Sequence, residues 1–246
     1  METFRTNEIA KLVGVHPNTV RLYEMIGFIS KPQRMANGYR IYTTLQLQQM
    51  QLARTALRTE VLQNGLRKKA IEIIRLCAAC DFTNAIVCTE QYDAMLVKEI
   101  ENARSAICYV ESILRSDYLQ EQILLNRGQT AAYLDVTIDT LRNWELNGLI
   151  NIKRKQNGYR VYDKSDIERL RMIRTLRSAN YSLSSILRLL NKLSVDRAVA
   201  VGDVLNKPEN NESIISVCDQ LMVSLEQSRQ DAAIILNQLT SMRGMK

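Results

Sequence analysis

Residues Val15–Ile29 read VHPNTVRLYEMIGFI, and the same pattern returns at Val136–Ile150 as VTIDTLRNWELNGLI. Thr19, Arg21, Glu24, Gly27 and Ile29 recur as Thr140, Arg142, Glu145, Gly148 and Ile150. A second block, Asn37-Gly38-Tyr39-Arg40-Ile41-Tyr42, recurs as Asn157-Gly158-Tyr159-Arg160-Val161-Tyr162. The offset is 121 in the first block and 120 in the second, so one residue was lost between them, as a loop of adjustable length allows. Two blocks in the same order mark an internal duplication.

Charge follows the repeat. Residues 1–75 carry 12 Lys/Arg against 5 Asp/Glu, and residues 127–197 carry 14 against 7; each segment is net +7. Residues 76–126 are net −5 and residues 198–246 net −2. Basic modules repeated along an otherwise acidic chain are the electrostatic footprint of phosphate binding. The remaining composition is that of a mostly helical protein: 46% apolar residues, three prolines and nine glycines in 246 residues. No apolar run approaches the ~18 residues of a membrane span, and the first residues lack the apolar core of a signal peptide. A cytoplasmic protein without membrane contact is therefore expected. Five cysteines, an odd number, favour reduced thiols over a disulfide framework.

Within the first repeat, Thr6–Val13 predicts a short helix with Thr6 as its N-cap, and Gly14-Val15 a turn. A second helix is expected from about Pro17, a residue suited to the first helical position, to Met25, with Gly27 ending it. Two short helices joined by a tight turn form a helix-turn-helix, whose second helix enters the DNA major groove. The other copy offers Gln129–Leu134, a turn at Asp135-Val136 and a helix capped by Thr137. After each pair comes a basic stretch, Lys31 and Arg34 or Lys153, Arg154 and Lys155. Asn-Gly and an alternating strand then complete a basic hairpin, or wing. Further helices are predicted over Thr44–Arg58 and Arg67–Leu76, and over Lys164–Ser178 and Leu183–Leu193.

The order helix-turn-helix, TVRLYEMIGFI, wing, GYRIY resembles the MerR family of transcription regulators, and TLRNWELNGLI with GYRVY resembles a second copy. The likeness covers about residues 5–76 and 127–193. It implies that the second helix reads the major groove while the wing grips flanking backbone. It also implies that a long helix after each module pairs antiparallel with a partner, and that promoters with overlong spacers are activated by bending and untwisting, with RNA polymerase as the partner there. Carried over by position, Asn18, Arg21 and Tyr23, with Asp139, Arg142 and Trp144, match groove-facing places. Tyr39, Arg40, Tyr159 and Arg160 match wing places. His16, Thr19, Thr137, Thr140 and Asn143 complete the expected DNA-binding set. Arg21 and Arg142 suit either guanine edges or phosphates. Asp139 suits either a cytosine amine or a helix cap, and Trp144 either sugar-phosphate or the core. Glu24 and Glu145 are expected to bond internally, and Tyr42 and Tyr162 to lie in the core. The recognition helices differ at exposed positions, which predicts unlike half-sites.

Two long helices are predicted. Residues 90–125 are apolar at Leu96, Ile100, Ala103, Ile107, Val110 and Leu114. Residues 212–243 are apolar at Cys218, Leu221, Leu225, Ala232, Ile235 and Leu239, with Ser228 as one polar interruption. Both patterns are heptad seams, hence an antiparallel coiled coil. Segments 77–89 and 194–211 read as linkers. Only Asn126-Arg127-Gly128 join the first long helix to the second module. Three extended residues reach about 10 Å, whereas a helix of about 35 residues is ~50 Å long. The second module then sits at the far end of that helix, and the chain imitates a family dimer by itself; a homodimer is the alternative. The fold class is thus mainly α, with two winged helix-turn-helix domains each followed by a long helix.

Cys77 and Cys80, with Cys88 beyond, could hold a soft metal. Relatives that sense metals place part of the site in a loop after the dimerisation helix, where this chain enters its second module, so buried structural cysteines are the expectation, with no cofactor. No large C-terminal ligand domain of the drug-sensing sort is evident. His16 is the only histidine, and no paired-carboxylate, nucleophile-elbow or phosphate-loop signature occurs, so no enzyme is expected. The competing function is an architectural protein that bends DNA for recombination or packaging.

Overall fold

The computed structural model describes residues 2–58, 65–115, 123–152, 160–207 and 220–244. The chain divides into two compact units, Met1–Lys98 with Ser224–Lys246, and Glu99–Val223.

The first unit opens with strand β1 (Thr3–Phe4), helix α1 (Thr6–Val13) and helix α2 (Pro17–Met25). The Arg5 N–H donates to the Glu8 carboxylate at 2.6 Å, so Arg5 rather than Thr6 is the N-cap of α1. Gly14 closes α1 in the left-handed region at φ 69°, which no β-carbon opposes. The wing is strands β2 (Gln33–Arg34) and β3 (Arg40–Thr43), antiparallel with Arg34 opposite Arg40, and β1 adds to the other edge of β3 with Phe4 opposite Tyr42. Helices α3 (Thr44–Ala56) and α4 (Leu66–Ala78) complete the module. Its core is Ile9, Val20, Tyr23, Phe28, Tyr42, Met50, Leu52, Ile73 and Ile74.

Helix α5 (Phe82–Arg115) begins well before the expected residue 90. The supposed linker is helix because Cys80, at φ 60°, ends α4 and the Asp81 carboxylate at once caps the next helix through the Asn84 N–H, 3.2 Å away. Helix α11 (Leu221–Gly244) supplies the rest of this unit. Leu96 on α5 and Leu225, Ser228, Ala232, Ile235 and Leu239 on α11 are buried. Two ion pairs tie α11 into the unit: Arg229 to Asp93 at 3.2 Å, and Arg58 to the buried Asp231 at 2.9 Å. Cys218 and the expected helix start at 212 lie outside the described residues.

The second unit repeats the frame. Strand β4 (Leu125–Asn126) precedes helices α6 (Arg127–Tyr133) and α7 (Ile138–Leu146), then strand β5 (Val161–Tyr162), helices α8 (Lys164–Ser178) and α9 (Leu183–Val195) and the short helix α10 (Val201–Asn206). The long helix was expected to run to residue 125 and Asn126 to begin the joining segment; instead Leu125 and Asn126 pair antiparallel with β5, and Asn126 and Gln129 cap one another at 2.9 Å. The expected linker 194–211 contains α10, which buries Val201, Val204 and Leu205 and accepts hydrogen bonds from Arg188 at the Val204 and Leu205 carbonyls. On the α5 portion of this unit Ile100, Ala103 and Val110 are buried and Ile107 and Leu114 half-buried. Among the described residues no helix is long and apolar enough to cross a membrane.

Candidate nucleic-acid interface

Helix α2 presents its polar face because its start is built for it. Pro17 needs no N–H partner in the first turn, and His16 accepts the Asn18 N–H on Nδ1 at 3.2 Å. His16, Asn18 and Arg21 are exposed and Thr19 is half-buried. Arg21 donates to the Asn18 side-chain oxygen at 3.0 Å, which holds the guanidinium along the helix face. On the wing, Lys31 and Arg34 are exposed and Tyr39 stands 69% exposed at the hairpin tip. Gly38, at φ 82°, and the Asn37 side chain, which accepts the Tyr39 N–H at 3.2 Å, form that tip.

Helix α7 offers the same face with other chemistry. Thr137 is the N-cap, accepting the Thr140 N–H at 3.1 Å, so the cap is Thr137 and not Asp139. Asp139 stays exposed in the first turn, beside exposed Arg142 and Asn143. Asn143 is engaged from below by Asn147. The wing residues Lys153, Arg154, Lys155 and Tyr159 lie outside the described residues.

Four expected contact residues face elsewhere. Tyr23 is only 7% exposed and packs edge-to-face on Phe28, ring centroids 5.4 Å apart; Trp144 is 5% exposed. Both rings are worth more as buried area than as groove contacts. Arg40 donates to Glu24 at 2.6 Å and Arg160 to Glu145 at 2.7 Å, and Glu145 also takes Arg127 at 3.0 Å. These guanidiniums are committed to half-buried carboxylates, and the Glu24 hydrogen bond raises the pKa of Arg40. Each pair joins the helix-turn-helix second helix to the arginine at the head of the following strand, Arg40 in β3 and Arg160 just before β5. Glu24 and Glu145 thus bond internally, and Tyr42 and Tyr162 are core residues.

Pattern reading missed Arg54 and Arg174. They recur at the offset of 120 on α3 and α8, and Arg174 lines a groove with Thr137, Asp139, Thr140 and Asn143 while pairing with Asp135 at 3.2 Å. The recurrence itself was the available signal.

Cys77 and Cys88 are buried and Cys80 half-exposed, and burial pushes the Cys77 thiol up to about 12, which keeps it protonated. Among the described residues no group of three or more His, Cys, Asp or Glu side chains is placed to hold a metal ion.

Two family profiles match the chain, one described as MerR family regulatory protein over residues 5–42, the other as MerR HTH family regulatory protein over residues 126–193. The chain belongs to the MerR family. Its helix-turn-helix regions stand in tandem, one per profile. Similar proteins include nodulation protein NolA of Bradyrhizobium sp. (strain NC92), 35% identical over 32% of this chain and 32% of its own length. The HTH-type transcriptional regulator ZntR of Escherichia coli (strain K12) is 38% identical over 26% of this chain and 46% of its own. The mercuric resistance operon regulatory protein of Bacillus cereus is 32% identical over 39% of this chain and 66% of its own. The chain therefore spans between about a third and two thirds of the length of these proteins. No solved structure matches it.

Proposed function

We propose that the chain is a sequence-specific, double-stranded-DNA-binding transcription regulator that acts as a single-chain pseudo-dimer. The observation that carries this reading is the repeated exposed set, Asn18 and Arg21 on α2 and Asp139 and Arg142 on α7, each anchored by a Glu–Arg pair to its own wing. Helices of this kind place the first-turn residues against base edges, while wing cations and exposed arginines neutralise phosphates. In the proposal His16, Asn18, Thr19, Arg21, Lys31, Arg34 and Tyr39 form one interface. Thr137, Asp139, Thr140, Arg142 and Asn143 form the other, with Lys153, Arg154, Lys155 and Tyr159. Arg54 and Arg174 join them as phosphate ligands.

Because Asn18 and Asp139 offer a donor-acceptor and an acceptor alone, the two half-sites differ and the operator is an imperfect palindrome. Pairing of the long helices inside one chain is supported by the Asp93–Arg229 bridge between α5 and α11. Bending and untwisting of a promoter spacer, with RNA polymerase as partner, completes the proposal.

The test is selection of bound fragments from the source genome, footprinting of the enriched site and light scattering of the complex. One chain mass on an asymmetric footprint, with transcription altered in vitro, is the expected result. A symmetric footprint carrying two chains overturns the pseudo-dimer. Bending without any change in transcript favours the architectural alternative, and absence of sequence enrichment ends the reading altogether.

A further inference from the structure

The two modules differ behind the turn that joins recognition helix to wing. In the first, Gln49 is fully buried and fully used. Its side-chain oxygen accepts the Ser30 N–H at 2.8 Å and the Ser30 hydroxyl at 2.9 Å, and its nitrogen donates to the Cys77 carbonyl at 2.9 Å. Turn, α3 and the end of α4 are thereby closed on one another. At the offset of 120, Arg169 takes this place. Its Nε donates to the Leu149 carbonyl at 2.7 Å, while among the described residues its terminal nitrogens have no hydrogen-bond or ion-pair partner. A half-open cavity of about 410 Å³ lies beside it, lined on its apolar side by Leu114, Ile150, Met172, Leu190 and Leu193.

Arg169 is a half-buried guanidinium whose one hydrogen bond goes to a carbonyl; burial lowers its pKa, and the Asp166 carboxylate opposes that shift only in part. The group that compensates best is a carboxylate, which matches the planar fork with two parallel hydrogen bonds. The cavity volume falls within the range of roughly 300–1,000 Å³ that small-molecule sites occupy. Leu114 and Leu193, half-buried apolar side chains on this lining, have surface left to cover an organic body. Asp166 and Glu168 also line the cavity and oppose a polyanion; Asp166 is already engaged with the Asp163 N–H in the cap of α8.

We propose that the second module binds a small organic monocarboxylate with an aliphatic or aromatic body in this cavity, its carboxylate on Arg169. Gly148, Ile150 and Asn151, which also line it, directly follow the recognition helix α7. An occupant therefore alters the path from recognition helix to wing, and DNA affinity with it. That regulatory part rests on the DNA-binding reading; the binding site does not.

The full chain without DNA is titrated calorimetrically with phenylacetate and hexanoate, and with phenylacetamide and hexanamide as uncharged counterparts. Saturable binding of the carboxylates, roughly tenfold or more tighter than the amides, is the expected result. The preference disappears in Arg169→Gln, which installs the first module's residue, and binding of every probe disappears in Leu193→Trp, which fills the cavity and leaves Arg169 in place. Absence of saturable heat at the solubility limit, equal affinity for acids and amides, or binding that survives Leu193→Trp overturns the proposal. The preference is measured on the wild-type chain, so the result does not depend on either variant folding. Affinity for enriched genomic DNA is measured separately without probe: DNA binding without carboxylate binding refutes the site alone, and the converse refutes the regulator reading alone.

Discussion

The first and second modules are one frame executed with different parts. Both keep the core tyrosine of the wing strand (Tyr42, Tyr162) and the glutamate that latches recognition helix to wing (Glu24, Glu145). They exchange nearly everything at the edges. His16 caps one recognition helix and Thr137 the other; Gly14 makes one helix-turn-helix turn at φ 69°, and Asp135 makes the other at φ 51°. Behind the turn, Gln49 closes what Arg169 leaves open. What persisted through the duplication is what sets the angle of the reading head, and what drifted is what the head reads and what packs behind it.

The largest expected effect tests whether both heads read. Changing Arg21 and Arg142 together to alanine lowers affinity for enriched DNA by about 30-fold or more at fixed salt, from about 1–3 kcal/mol each. Fluorescence anisotropy measures it, and unequal single effects would rank the two half-sites. Full affinity in the double variant breaks the comparison at its root.

Next in size is the latch. Glu145→Ala strands both Arg127, whose Nε is already buried without a partner, and Arg160, and costs about 2–3 kcal/mol. Glu24→Ala strands only Arg40 and costs about 1–2 kcal/mol. Amide hydrogen exchange followed separately in α1–α3 and α6–α8 resolves the two; a reversed order would mean that the extra arginine does not strengthen the second latch.

Behind the turn, Gln49→Leu leaves the Ser30 N–H and the Cys77 carbonyl without their partner and costs about 1–3 kcal/mol. Arg169→Leu removes a poorly paired cation and costs under about 1 kcal/mol, or stabilises. Urea melts of both variants decide, and equal losses would show that the second module is as closed as the first. The smallest effect is at the turn. Asp135→Gly gives the second module the first one's solution, relieves a left-handed side chain and loses only an exposed pair with Arg174. A rise of about 1–2 °C in melting temperature is expected.

Much of this frame was legible in the sequence because it depends on local rules. Apolar spacing and the Gly14 and Gly27 stops located α1 and α2, and the repeat transferred them to the second copy. Charge chemistry identified the internal role of Glu24 and Glu145. Three kinds of feature were not legible. Strands β1 and β4 are two residues long, too short to show alternation, and are defined by a partner some 40 residues away. The inward turn of Tyr23 and Trp144 depends on which side of a nine-residue helix meets the core, and one polar atom on a large ring suits either side. The commitment of Arg40 and Arg160 requires a carboxylate about 15 positions away, which spacing alone cannot pair. The segments 77–89 and 194–211 read as linkers because neither the repeat nor the heptad seams cover them, yet Asp81 starts α5 and Arg188 secures α10.

The short strands have a mechanical meaning. The two residues entering each module, Thr3–Phe4 and Leu125–Asn126, are hydrogen-bonded to the strand that carries the wing's root, at Tyr42 and Tyr162. Tension arriving along the backbone at Leu125 therefore passes across the ladder into β5 before it reaches any helix of that module. Entry is a stitched seam and not a swivel, and a fragment cut to begin at Arg127 would lose its wing's edge along with its leader.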